Sequence, residues 1–192
     1  MPRLFVALNL PDPLKDELDR LLEYLKKRTP GGELRWAKRD QFHVTLKFIG
    51  EVEDAWVPPI RSALTDVTKS TSKIALHSGS VGTFGRGDRL HTVWIGLEGE
   101  KERLSDLVGR IEEALEPIGI RKEGRGFEPH ITLARVRREA PPAASQHLKR
   151  VLADAKPIRE HRFAADHISL MKSTLRPDGS IYEELAVFPF TA

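Results

Sequence analysis

Two short stretches hold the side chains best suited to chemistry: His43-Val44-Thr45-Leu46 and His130-Ile131-Thr132-Leu133. On a β-strand, residues two apart share a face about 7 Å from each other, so each stretch sets an imidazole beside a hydroxyl while its aliphatic residues turn to a core. Imidazole titrates near neutral pH and can give or take a proton. A single copy of this pattern reads more naturally as structure than as catalysis. Two copies on opposite sides of one cleft suit displacement at phosphorus. There a base deprotonates the incoming oxygen and an acid protonates the leaving one, each transfer being worth about 10²- to 10⁴-fold in rate. One histidine must then be neutral and the other charged. The hydroxyls of Thr45 and Thr132 would donate hydrogen bonds to the non-bridging oxygens, stabilising charge there without calling for a metal.

The elements that must position these residues follow from periodicity. Leu4 to Leu10 is strand-like, and in the Pro11-Asp12-Pro13 that follows, Asp12 can cap a helix and Pro13 can occupy its first turn. Leu14, Leu18, Leu21, Leu22 and Leu25 predict that helix over about 13–28, ended by Thr29-Pro30-Gly31-Gly32. A strand comes next, over about 42–49, with Val44, Leu46 and Phe48 alternating against His43, Thr45 and Lys47. The order then recurs: a strand from Thr92 to Leu97, a helix carrying Leu104, Leu107, Val108, Ile111 and Leu115 that ends near Pro117 and Gly119, and the second histidine strand. Leu10 and Leu97, like His43 and His130, stand 87 positions apart, which marks an internal duplication. Each copy continues into a helix, about 54–68 and about 142–154, and a further strand. Strand, helix, strand, helix, strand, twice over, predicts an α+β or α/β fold with two pseudo-equivalent lobes in one domain spanning 1–192. No long polar linker divides the lobes, Glu139 to Ala144 being the nearest to one, and a last hairpin is expected around Arg176-Pro177-Asp178-Gly179-Ser180.

Composition narrows the classes. With 40% hydrophobic and 31% charged residues, the chain is too apolar for disorder and too interrupted by charge for spanning helices. Met1-Pro2-Arg3-Leu4-Phe5 runs straight into a strand rather than a secretion signal, so the cytoplasm is the expected compartment. The absence of cysteine excludes disulfides, thiolate metal sites and a cysteine nucleophile. His77, His91, His147, His161 and His167 form no recognisable ligand set, no nucleophile-elbow sequence is present, and no cofactor is expected.

The paired stretches resemble the signature of the two-histidine (2H) phosphoesterase superfamily. Within it they look most like the RNA 2′,3′-cyclic phosphodiesterase family, also called the 2′-5′ RNA ligase or LigT-like family. The likeness covers nearly the whole chain, including Arg3 to Leu8, Trp36 to Gly50, the strand with Trp94, Phe127-Glu128-Pro129-His130 and Gly179-Ser180-Ile181-Tyr182. It implies a bilobal α+β fold in which antiparallel sheets face a central cleft with helices outside. It also implies metal-independent hydrolysis of a 2′,3′-cyclic phosphate, on RNA or a nucleotide, to a 2′-phosphate. RNA ends or nucleotides bearing that group are then the partners, with no membrane and no obligate protein partner, and joining of RNA ends through a 2′-5′ linkage is a secondary activity. By the same resemblance His43 is the proton donor to the departing 3′ oxygen and His130 the acceptor that activates water. From the residues alone the two are interchangeable.

The family's motifs extend five residues past each histidine, here to Phe48 and Arg135. Five is an odd step, so a regular strand turns both toward the face of Val44 and Ile131, and only a bulge or a strand end brings them to substrate. There Phe48 would stack on a base and Arg135 would stack or pair with phosphate. Arg121 to Arg138 carries six basic residues against Glu123 and Glu128, a surrounding that draws phosphates to the second motif. Gly82-Thr83-Phe84-Gly85-Arg86-Gly87-Asp88 lacks the Gly-Lys-Ser/Thr of a phosphate loop and reads as a hairpin connection, with Arg86 and Arg89 in turn roles. Glu17, Asp19, Glu112 and Glu113 fall on polar helix sides, where carboxylates meet water. Two rival readings are a module that captures a nucleotide or RNA end without turnover and a duplication that only scaffolds protein contacts. The intact histidine pair favours catalysis, since capture needs donors and cations but no matched acid and base.

Overall fold

A computed structural model describes residues 1–86, 89–124, 126–155, 158–176 and 179–192. In chain order the elements are β1 (Arg3–Asn9), α1 (Asp12–Arg28), β2 (Leu34–Trp36), β3 (His43–Glu51), α2 (Val57–Lys69), β4 (Ile74–Arg86), β5 (Arg89–Gly99), α3 (Lys101–Leu115), β6 (His130–Val136), α4 (Pro142–Ala153), β7 (Arg162–Ala165), β8 (His167–Arg176) and β9 (Gly179–Pro189). The leucine stripe builds α1 as its spacing dictates, burying Leu14, Leu18, Leu21, Leu22 and Leu25. Its cap is Pro11 rather than Asp12: Pro11 is extended, at φ −69° and ψ 149°, and no side chain caps the helix. Two flanking prolines with fixed φ start the helix one residue early. Asp12 therefore falls in the first turn and pairs instead with Arg39, Nη2 to Oδ1 3.1 Å. The helix α3 ends at Leu115, and a 3-10 turn over Glu116–Ile118 closes on Gly119 at φ 92°, a conformation that glycine adopts without steric cost. The supposed linker is a short turn, since α4 begins at Pro142.

All strands of the described residues pair antiparallel, in the order β7-β4-β5-β6-β3-β1-β8-β9, with β2 alongside β6. The order is symmetric about its centre. Exchanging β1 with β5, β3 with β6, β4 with β8 and β7 with β9 returns the same sequence of neighbours. The strand after α2, β4, leaves the half containing β1 and β3 and pairs with β5 in the other half. The two halves meet where β3 touches β6 through one pair, Val44 with Ile131, both fully buried. The lobes are thus halves of one continuous sheet that diverge from that seam. Helix α2 packs against α3 and α1 against α4, and one hydrophobic core runs through both halves from Leu4 to Phe188. This is the α+β, two-lobed architecture anticipated above.

Strands β8 and β9 pair through Arg176 with Gly179, and β4 and β5 through Arg86 with Arg89. Pro177 and Asp178 of the expected turn, Gly87 and Asp88 of the other hairpin, and Arg125 of the basic stretch lie outside the described residues. Among the described residues no helix is long and apolar enough to cross a membrane.

Candidate active site

The strand carrying His43 alternates normally as far as Leu46 and then breaks its period. Leu46 and Lys47 are both buried, while Phe48 is 51% exposed. Register with β1 explains the change: Ala7 faces Thr45 but Val6 faces Lys47, leaving Leu46 as the extra residue of a β-bulge. The other motif strand repeats the device. Trp94 faces Thr132 but Val93 faces Ala134, so Leu133 is the extra residue, 87 positions after Leu46. A bulge is what the five-residue step demanded, and in both strands it turns the fifth residue, Phe48 or Arg135, onto the face of the histidine. It also reverses the alternation expected for Lys47 and Phe48, sending the lysine in and the ring out.

An antiparallel pair centred on Val44 and Ile131 sets His43 across from Thr132 and Thr45 across from His130, all four on the face opposite the buried aliphatics. The imidazoles occupy opposite corners of this square, where diagonal strand neighbours lie roughly 7–8 Å apart and their Cβ atoms somewhat closer. Each ring is held the same way. Nδ1 of His43 lies 2.7 Å from the Gln41 carbonyl and Nδ1 of His130 lies 2.7 Å from the Glu128 carbonyl, two residues upstream in each copy. A carbonyl only accepts, so each Nδ1 carries the hydrogen and each Nε2 is left for chemistry. In His43, Nε2 is 3.1 Å from Thr45 Oγ1 and accepts its hydroxyl hydrogen.

Aromatic rings wall both imidazoles edge-on. Tyr182 meets His43 at 5.2 Å and 89°, and Phe84 meets His130 at 4.9 Å and 89°. Phe5 backs His43 at 5.0 Å, and Trp94 backs His130 at 6.1 Å. Gly82 allows Trp94 to lie there, since a Cβ at that position would overlap the indole ring. A cavity of about 440 Å³ opens on the His43 side, lined by His43, Thr45, Phe48, Tyr182 and, from β6, Thr132 and Arg135. Arg3, Arg35 and Lys38 also face it, and no described carboxylate does. His130, only partly buried, looks toward the β4–β5 hairpin side.

Burial lowers the pKa of His43 to about 4, an effect that its bond to the Gln41 carbonyl opposes and that the nearby His130 and Arg135 charges reinforce. In these protein surroundings His43 is therefore neutral at pH 7.

Behind the bulge, Lys47 is buried to 1% exposure. Its ammonium donates to Glu112 Oε1 at 2.9 Å and to the Arg121 carbonyl at 2.7 Å. The same carboxylate oxygen accepts from the Glu123 backbone N–H at 2.8 Å, and Glu123 in turn accepts from the Phe48 N–H at 3.3 Å. Burial on its own would raise the pKa of Glu112, but the Glu123 amide and Lys47 outweigh it and lower it. The segment leading to His130 is thereby clamped to the strand of His43. Glu112 does not simply meet water, and neither do Glu17, paired with Arg20, or Asp19, paired with Arg39. Periodicity placed these carboxylates on polar faces correctly but carried no information about cations arriving from elsewhere in the chain.

Of the described basic residues between Arg121 and Arg138, only Arg135 lines the cavity; Lys122 pairs with Glu116, and Arg137 donates to the Gly32 carbonyl. Phe5, Trp94 and Tyr182 stand in stretches that carry the family resemblance and Phe84 in an expected hairpin connection, but neither they nor Arg35 were given a role at the site from sequence. The one local signal for Arg35 was its place beside Trp36 in a cationic run, Arg35 to Arg39.

The sequence pattern of the 2′-5′ RNA ligase superfamily matches residues 10–176. The chain belongs to that superfamily. A Methanocaldococcus jannaschii protein named RNA 2′,3′-cyclic phosphodiesterase is 32% identical over 181 residues, covering 94% of this chain and 96% of that one. An Archaeoglobus fulgidus protein of the same name is 30% identical over 189 residues, covering 97% and 99%. Among solved structures, TT0787 of Thermus thermophilus superposes with a TM-score of 0.79 at 22% identity, covering 98% of each chain. Escherichia coli LigT complexed with 3′-AMP superposes at 0.76 with 22% identity and covers 100% of both chains. The two structures show that this chain shares their fold.

Proposed function

We propose that this member of the 2′-5′ RNA ligase superfamily is an RNA 2′,3′-cyclic phosphodiesterase of the cytoplasm, its lobes the product of an internal duplication within one domain. The observation that carries the reading is the matched pair of imidazoles. Both have Nδ1 tied to a carbonyl two residues upstream, both stand beside a threonine, and both occupy one face of the β3–β6 seam. A binding module needs none of that duplication of proton-handling groups.

The cyclic phosphate sits over the square of His43, Thr45, His130 and Thr132, and the threonine hydroxyls donate to its non-bridging oxygens. His130 Nε2 takes a proton from water as the water oxygen attacks phosphorus. The bond from phosphorus to the 3′ oxygen breaks, and His43 Nε2 gives that oxygen a proton, leaving a 2′-phosphate and a 3′-hydroxyl. In this assignment His43 must acquire a proton that its own surroundings disfavour. The phosphodiester anion supplies the cause: seated between the rings, it replaces repulsion from Arg135 and His130 with attraction and raises the His43 pKa. Phe48 stacks on the base of the terminal nucleotide. With an RNA 5′-hydroxyl in place of water, the same displacement joins RNA ends: His130 takes the hydroxyl proton as the 5′ oxygen attacks phosphorus, the bond to the 3′ oxygen breaks, and His43 protonates it, leaving a 2′-5′ linkage.

The test is incubation with a 2′,3′-cyclic nucleotide in EDTA, followed by phosphorus NMR. Metal-free formation of the 2′-phosphate is expected. A 3′-phosphate product, or no turnover at all, overturns the reading.

A further inference from the structure

The cavity contains a charge arrangement that hydrolysis of a lone cyclic phosphate does not require. Arg35 of β2 stands directly opposite Arg135 of β6 in the strand register, and both are exposed and line the cavity. Like charges placed directly across a strand pair destabilise it. Some arginines elsewhere in the chain are neutralised by carboxylates. Arg39, four residues on, is gripped by Asp12, Asp16 and Asp19, and Arg20, Arg103 and Arg162 each pair with a glutamate. Among the described residues, neither the Arg35 nor the Arg135 side chain has a hydrogen bond or ion pair, and the cavity offers them no carboxylate. Two forked, unneutralised guanidiniums on one face make a site for an anion with several acceptor oxygens.

Its place in the cleft says which anion. Thr132 and Arg135 lie on the same strand, three residues apart, so the arginine pair is roughly 7–10 Å along β6 from the hydroxyl beside the reacting phosphate. An RNA that ends in a 2′,3′-cyclic phosphate has just one neighbouring phosphate, the internucleotide diester on the 5′ side of the terminal ribose. We propose that Arg35 and Arg135 form a second phosphate subsite that holds this diester. The substrate class is then an oligonucleotide with at least one internucleotide phosphate, in preference to a cyclic mononucleotide. Trp36, next to Arg35 and also lining the cavity, offers a ring for the penultimate base. The inference rests on the phosphodiesterase reading above and deepens it.

The experiment compares three substrates with the intact chain: a 2′,3′-cyclic mononucleoside phosphate without a 5′-phosphate, a dinucleotide ending in the same cyclic group, and that dinucleotide with an uncharged methylphosphonate linkage. The subsite predicts kcat/KM at least about tenfold higher for the charged dinucleotide than for either of the others, the scale of one charge-assisted contact. In Arg35→Gln, the ratio of dinucleotide to mononucleotide kcat/KM should fall about tenfold, and the salt dependence on the dinucleotide should lose about one unit of slope. Retained turnover of the cyclic mononucleotide shows that the variant is folded, and the methylphosphonate comparison needs no variant. Equal kcat/KM on all three substrates, or a ratio unchanged by Arg35→Gln, overturns the subsite and leaves the phosphodiesterase reading intact. Turnover of none of them by the unmodified chain overturns both.

Discussion

Lowering the pH should destabilise this fold through His43 in particular, by an amount the site sets. Burial puts the imidazole at about 4, against about 6.5 in an unfolded chain. Between those values the unfolded state binds a proton that the folded state refuses, so stability rises with pH across the window and is lost as pH falls from 6.5 toward 4. Integrating the two titrations from neutral pH to pH 4.5 gives a loss of about 2.5 kcal/mol from this one group. Carboxylates such as Glu112, held low in the folded state, lose stability only at more acid pH, as pH falls through the folded value. The assay is urea unfolding of the parent and of His43→Gln at pH 7.5 and pH 4.5. Gln keeps a polar group in the pocket but does not titrate, so the parent should lose about 2.5 kcal/mol more than the variant between the two pH values. Equal losses would show that the pocket does not disfavour the imidazolium, and the argument that His43 gains its proton with substrate would fail. The histidine ring signals provide a second readout. His43 should titrate near 4 in the free protein and move upward when a 2′-nucleotide product is bound.

His43→Ala and His130→Ala should each lower kcat by about 10²- to 10⁴-fold with folding intact, and near-normal rates in both would remove the acid–base account. Glu112→Gln leaves the buried Lys47 ammonium with neutral acceptors only, the amide oxygen and the Arg121 carbonyl, and should cost about 3 kcal/mol through the lost counter-charge. Lys47→Met combined with Glu112→Leu should recover most of that loss, and a double variant as unstable as the single would show that charge pairing is not the cause. Gly82→Val should drive Trp94 off its place beside His130 and lower stability by about 1–3 kcal/mol, read as a drop in melting temperature; an unchanged melt would mean the indole has room to spare.

Much of this was legible in the chain. The leucines of α1 and α3, the strand character around both histidines and the constant offset of 87 are patterns of neighbouring residues, and such patterns survive folding because helix and strand periods are local. The pairing of His43 with Thr45 and of His130 with Thr132 followed from the same period. The acid–base pair itself was suggested by repetition, since two copies of a weak signal at one spacing are seldom both structural. Phe48 and Arg135 marked the boundary. The five-residue step announced that a bulge was needed, but a bulge is a mismatch in count between two strands and shows only when the partner strand is known.

What tertiary structure alone decided is everything contributed from a distance. Tyr182 reaches His43 from β9, Phe84 reaches His130 from β4, and Glu112 on α3 receives a lysine from a strand 65 residues away. The facing pair Arg35 and Arg135 lies 100 positions apart in the chain. The residues themselves determined which segments become strands, which faces carry imidazole and hydroxyl, and that two such faces exist. How they meet, how dry His43 becomes and which cations are left without counter-charge depended on register and burial, which are properties of pairs of segments and are written in neither one.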